Sequence, residues 1–142
     1  MRILIAEDDL GSRMFLKQIM KVYGDCDVAV DGLETVDAFL MAWDEEQPYE
    51  LICLDIMMPR LDGLKALQII RDLEEEKKIP KKDQVKVIMT TALNEQQTVY
   101  SAFELGCEAF AAKPISQERM QWVLEKMGAK PIQEPVLKEV TK

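Results

Sequence analysis

No histidine occurs anywhere in the 142 residues. That absence removes the commonest general base and the commonest transition-metal ligand. Cysteine is scarce: Cys26, Cys53 and Cys107 are odd in number, widely spaced and form no C-x-x-C pair. A zinc site and a disulfide framework are therefore not expected, and buried free thiols among apolar neighbours are. No apolar run approaches the length that spans a bilayer. Basic residues are in deficit, 18 Lys and Arg against 26 Asp and Glu for a net charge of -8, and no basic stripe appears. Nucleic acid, whose phosphates demand clustered cations, is not an expected partner. Neither G-x-G-x-x-G nor G-x-x-x-x-G-K-[ST] occurs, which argues against a nucleotide-binding module. The opening Met1-Arg2-Ile3-Leu4-Ile5-Ala6-Glu7-Asp8 reaches acid before a signal-peptide core can form, so a cytoplasmic protein without membrane contact is expected. Whatever the chain does must run on carboxylates, hydroxyls and lysine.

At 48% hydrophobic and 31% charged, the chain has the composition of one folded domain rather than a disordered segment. Short apolar runs alternate with longer stretches of helical period, the pattern of parallel strands joined by helices. Five such repeats fit. The first helix spans 10–22, with Phe15, Leu16, Ile19 and Met20 toward a sheet and Gly24 as its stop. Residues 26–30 read as a second strand, and Asp31-Gly32 opens a helix through Leu33, Val36, Phe39, Leu40 and Trp43. Residues 50–54 read as a third strand, followed by a helix after Asp62-Gly63 carrying Leu64, Leu67, Ile70 and Leu73. The tract Glu74-Glu75-Glu76-Lys77-Lys78 reads as a solvated helix end. Residues 85–89 and 108–112 are the last strands, and 95–105 and 116–127 the last helices. Residues 1–128 thus form the domain, and 129–142, with Pro131 and Pro135, a flexible tail.

Four of the apolar runs end in polar residues. They are Glu7-Asp8-Asp9, Asp55, Thr90-Thr91 and Lys113. Short crossovers in a parallel sheet are right-handed, and ligands of such sheets sit at the carboxyl ends of strands. The fold would therefore gather these residues. Clustered carboxylates repel one another without a cation, whereas Mg²⁺ accepts hard oxygen ligands. Asp8, Asp9 and Asp55 can supply them; helix capping would account for one of Asp8 and Asp9 but not for the pair. Asp is also common in turns, so position alone leaves Asp55 open between turn residue and nucleophile. As a nucleophile it would carry a phosphoryl group, with Lys113 as a point charge and the Thr91 hydroxyl as a hydrogen-bond donor.

Residues Ile3 to Asp9, Leu54-Asp55-Ile56-Met57-Met58-Pro59 with Asp62-Gly63, Thr91-Ala92, and Gly106 to Pro114 together carry a resemblance. Over roughly 1–127 the sequence resembles the response-regulator receiver domains of two-component signalling, typified by the chemotaxis response regulator. The resemblance implies a single-domain, flavodoxin-like fold of receiver type, a doubly wound five-stranded parallel sheet with helices on both faces. It implies that Asp55 accepts phosphate from the phosphohistidine of a kinase or a histidine phosphotransfer protein. Asp8, Asp9, Asp55 and the Met57 main-chain carbonyl would hold Mg²⁺, Lys113 would contact Asp55 and the phosphoryl oxygens, and the Lys113–Pro114 peptide would be cis. Thr91 and Phe110 match the family's switch pair, while Thr90 is expected to face elsewhere. Met57 and Leu93 match positions that tune water access to the phosphoryl group.

Two outputs are open. The face of the fourth helix, fifth strand and fifth helix, around Gln96, Val99, Tyr100, Phe110, Met120 and Gln121, would dock an effector protein on phosphorylation. Alternatively Asp55 would pass its phosphate to a histidine transfer protein docked near the first helix and Met14. A phosphoaspartyl phosphatase is the remaining enzyme reading, weakened by Met57 where such enzymes place a second acid two residues after the nucleophile.

Overall fold

The computed structural model describes residues 1–92 and 96–132, with the side chains of 96–98 outside the described part. Five parallel strands, β1 (Arg2–Ala6), β2 (Asp25–Ala29), β3 (Leu51–Asp55), β4 (Lys86–Ala92) and β5 (Ala109–Lys113), stand in the order β2-β1-β3-β4-β5. Helices α1 (Leu10–Met20), α2 (Gly32–Asp44), α3 (Gly63–Glu76), α4 (Gln96–Glu104) and α5 (Gln117–Lys126) connect and follow them. Strand alternation divides the core in two. Leu4, Ala6, Ile52, Leu54, Val87 and Met89 pack with Phe39, Leu67 and Ile70 of α2 and α3 and Ala102 of α4. Ile3, Ile5, Leu51, Cys53, Ile88 and Ala111 meet Leu16, Ile19 and Met20 of α1 and Met120, Val123 and Leu124 of α5. Burying each such large aliphatic side chain contributes about 1.5–3 kcal/mol. The order in which strands are added reverses between β1 and β3, which opens a crevice at their carboxyl ends.

Asp9, Asp31, Asp62 and Ser116 cap α1, α2, α3 and α5, each accepting from a backbone N–H three residues on. Gly63 is required by a close approach. A Cβ there would collide with the Asp55 carbonyl, and its amide donates to Ile56 O at 2.8 Å. The start of α3 is thereby pressed against the turn that follows Asp55.

Several expectations are corrected. β4 continues to Ala92, so both threonines lie within it, and β3 and β5 include Asp55 and Lys113. The ladder persists because backbone pairing is indifferent to side-chain polarity, with Asp55 opposite Thr90 and Ala92 opposite Lys113. Helix α1 ends at Met20 rather than near Val22. Gly24 is not its cap but passes close to the Met1 backbone at the start of β2. Phe15 and Leu33, expected in the core, are 41% and 44% exposed. Thr35 and Ala42 instead share the buried face of α2 with Phe39.

Glu74, expected in solvent, is fully buried. Its carboxylate pairs with Arg71 at 2.7 Å and accepts from the Val85 amide at 2.7 Å, while Arg71 also donates to Gly106 O. The tail begins ordered: the Ile132 amide donates to Val22 O at 2.7 Å, and Ala129 packs on the second core. The rest of the expected tail, 133–142, and Leu93 lie outside the described residues. Cys53 and Cys107 are buried and Cys26 half-buried, all three as free thiols, and burial pushes them up to about 12, 11 and 11.

Candidate functional site

Register locates the site before any side chain is considered. Ile5 pairs with Cys53, so two positions further the chain brings Glu7 beside Asp55 on the α1/α5 face. Asp55 pairs with Thr90, Thr90 with Ala111, and Lys113 follows Ala111 by two. Glu7, Asp55, Thr90 and Lys113 therefore share one alternation frame. Thr91 and Phe110 occupy the other, where Phe110 pairs with Met89 and meets Phe103 edge-on at 5.8 Å between ring centres. The expectation that Thr90 faces elsewhere is thus reversed. Thr90 lies on the face of Asp55, and it is Thr91 that shares the frame of Phe110.

Asp55 is 2% exposed. Its Oδ2 lies 3.1 Å from Lys113 Nζ and its Oδ1 accepts from the Met57 amide at 3.3 Å. The same ammonium stands 3.0 Å from Oε1 of the buried Glu7, within ion-pair range but without hydrogen-bond alignment. Burial and the Glu7 charge push the Asp55 carboxyl up to about 6, and Lys113 opposes this only in part. Burial pulls the Lys113 ammonium down, yet Glu7 and Asp55 outweigh it and the net shift is upward. The Lys113–Pro114 peptide is cis.

Oxygens of Glu7, Asp8 and Asp55 lie within 4.8 Å of one another. Asp9, expected as a ligand, is not in that group: its carboxylate accepts from Ser12 N at 2.9 Å, and this capping bond holds it below the usual range. Glu7 takes the place expected of Asp9, because the alternation of β1 continues through Glu7 and points it at Asp55. Counting the frame from Ile3 and Ile5 would have found it. Three carboxylates face one ammonium here, and Glu7 Oε1 lacks an aligned hydrogen-bond donor. This donor set, all hard oxygen with an orphaned buried acceptor, fits a divalent cation such as Mg²⁺.

A family model for the response regulator receiver domain matches residues 3–125. The chain belongs to that family. This receiver is 34% identical over 131 residues to a chemotaxis protein CheY of Listeria monocytogenes, covering 89% of this chain and 97% of the relative. Among solved structures it is similar to the receiver domain of a Saccharomyces cerevisiae response regulator, crystallised with a histidine phosphotransfer signalling protein. There the TM-score is 0.74 at 27% identity, over 92% of each chain. It is also similar to a chain of the CheX–CheY–BeF3–Mg complex of Borrelia burgdorferi, with TM-score 0.73 at 27% identity over 91% and 90% of the two chains. No helix among the described residues is long and apolar enough to cross a membrane.

The α4–β5–α5 face of this receiver differs from expectation. Met120 is fully buried and belongs to the core, because it lies on the side of α5 that meets the sheet. Tyr100 is 75% exposed. Phe103 and Trp122, which sequence reasoning did not single out, line a cavity of about 290 Å³ with Phe110, Arg119 and Lys126. The guanidinium of Arg119 and the ammonium of Lys126 stand over the Trp122 ring at 4.8 and 5.5 Å.

Proposed function

We propose that Asp55 accepts a phosphoryl group from a phosphohistidine of a kinase or a histidine phosphotransfer protein, and that the modified chain then binds an effector. The observation that carries this reading is the buried Asp55 carboxylate, with Lys113 Nζ at 3.1 Å and two further carboxylates beside it. An Asp55 oxygen forms the new P–O bond as the donor P–N bond breaks and its electron pair returns to the imidazole. The chain has no histidine, so the donor phosphohistidine lies outside these 142 residues. Lys113 follows the charge onto the phosphoryl oxygens, and Thr91, which lies on the Phe110 frame at the end of β4, would bring its hydroxyl to one of them by a shift of that strand end. Glu7, Asp8 and Asp55, with the Met57 carbonyl, would hold Mg²⁺, which offsets the charge of the carboxylates and phosphoryl oxygens when bound. Later attack of water at phosphorus releases phosphate and restores the carboxylate.

Phosphorylation would favour one arrangement of Thr91 and Phe110 and so of the α4–β5–α5 face, only to the extent that the two arrangements differ in free energy. Tyr100, Phe103 and Trp122 provide aromatic anchors for an effector there. Passage of the phosphate to a histidine transfer protein is favoured by a separate observation. Leu10, Met14 and Phe15 of α1 are 61%, 63% and 41% exposed beside the site. The yeast relative, a response regulator downstream of the histidine phosphotransfer protein it was crystallised with, supports such a protein as the phosphate donor rather than as the acceptor. Family membership stands against the small-substrate phosphatase reading, and we place the reaction in the cytoplasm.

Intact mass after incubation with acetyl phosphate tests the chemistry. One phosphoryl adduct that requires both Mg²⁺ and Asp55, and is lost in Asp55→Asn, is the expected outcome. An adduct that persists in Asp55→Asn would reject Asp55 as the acceptor.

A further inference from the structure

Two buried side-chain oxygens among the described residues lack a hydrogen-bond partner, Glu7 Oε1 and Thr90 Oγ1, and both belong to the frame of Asp55. The Thr90 side chain is 1% exposed. An orphaned buried hydroxyl is costly, and valine would fill the same volume without the cost. Thr90 is also tied to Asp55 through the backbone, since its carbonyl accepts from the Ile56 amide at 3.1 Å. Lys113 starts on β5 opposite Ala92 and reaches Asp55 on β3, so its alkyl chain crosses β4 on the face that carries Thr90. Its ammonium has three N–H donors, and the two carboxylates it meets are those of Glu7 and Asp55.

We propose that Thr90 is a positioning residue, whose hydroxyl becomes the acceptor for the Lys113 ammonium when Glu7 is committed to a divalent cation. This rests on the reading of Glu7, Asp8 and Asp55 as metal ligands. In the structure Lys113 bridges Glu7 and Asp55, and the Thr90 hydroxyl has no hydrogen-bond partner. Once Glu7 turns to the cation, the ammonium gives up that ion pair but stays beside Asp55, and the Thr90 hydroxyl accepts from an N–H that Asp55 does not take. Without that hydroxyl, releasing Glu7 leaves a half-buried ammonium short of an acceptor, and the cation is held more weakly.

Calorimetric titration of Mg²⁺ into the wild-type chain, Thr90→Val and Thr90→Ser, with denaturant unfolding in excess chelator, tests this. The expected result is a roughly three- to tenfold loss of Mg²⁺ affinity in Thr90→Val, the range of one net hydrogen bond, with affinity restored in Thr90→Ser. Metal-free stability of Thr90→Val should be equal to or above the wild type, because an orphaned hydroxyl has gone. Wild-type affinity in Thr90→Val would overturn the proposal, as would Thr90→Ser binding no better than Thr90→Val. A fall in metal-free stability of Thr90→Val would also overturn it, by showing that the hydroxyl is already in structural use. A wild-type chain that binds no Mg²⁺ would overturn the metal reading itself, and this inference with it.

Discussion

At the scale of single residues, the site holds Asp55 in tension. Its carboxyl is raised to about 6 by burial and by Glu7, so protonation is favoured in the folded metal-free chain relative to the unfolded one. A carboxyl shifted in this direction contributes stability below its ordinary range near 4, and that contribution is lost as pH rises through about 6. Asp55→Asn removes the titrating charge. In chelator the substitution should therefore be nearly neutral near pH 4 and stabilising by about 1 kcal/mol near pH 7.5. Denaturant midpoints of the two proteins across that range check it, and a difference independent of pH would show that Asp55 carries no such strain. The substitution most damaging to the proposed chemistry is thus expected to strengthen the fold.

At the scale of elements, β3 and α3 act together through Gly63. A Cβ added there would strike the Asp55 carbonyl and approach Ile56 Cα at 2.9 Å, and both obstacles are backbone. Gly63→Ala should cost about 2–4 kcal/mol and shift the turn that aims Asp55. Phosphoryl labelling of the folded fraction should fall with it. Measuring labelling per folded molecule separates the two effects, and full labelling would show that the turn relocates without moving the carboxylate. Capping aspartates and the Asp-Gly starts of α2 and α3 were legible from sequence, because a cap needs only local spacing. Strand ends were not, since β4 runs on through Thr90 and Thr91 by pairing with β3 and β5.

At the scale of the whole molecule, the sheet separates chemistry from reinforcement. The site occupies the carboxyl ends of the strands, whereas Glu74 and Arg71 join α3, the start of β4 and the segment before β5 at the opposite end. Glu74→Ala removes one of the two carboxylate partners of Arg71, with Glu108 remaining at 3.2 Å, and leaves the Val85 amide without its acceptor, at a cost of about 2–3 kcal/mol. Thermal or denaturant unfolding should register that loss, while the folded fraction retains Asp55 labelling at the wild-type rate. A labelling defect in fully folded Glu74→Ala would mean that the two ends are coupled.

The sequence by itself determined the alternation of strands and helices, the parallel sheet with two covered faces, and the arrival of Asp55, Lys113 and an acidic cluster at strand ends. Those properties follow from hydrophobic period and from polar residues at the ends of apolar runs, both of which are local. Only the tertiary structure decided that Glu7 rather than Asp9 joins Asp8 and Asp55, that Thr90 shares the Asp55 face, and that Glu74 is buried. Each of these depends on register between strands distant in the chain or on which helix covers which face. A shift of one residue exchanges the two faces of a strand, so composition and spacing along one segment cannot choose between Glu7 and its neighbours, and pairing of β1 with β3 can.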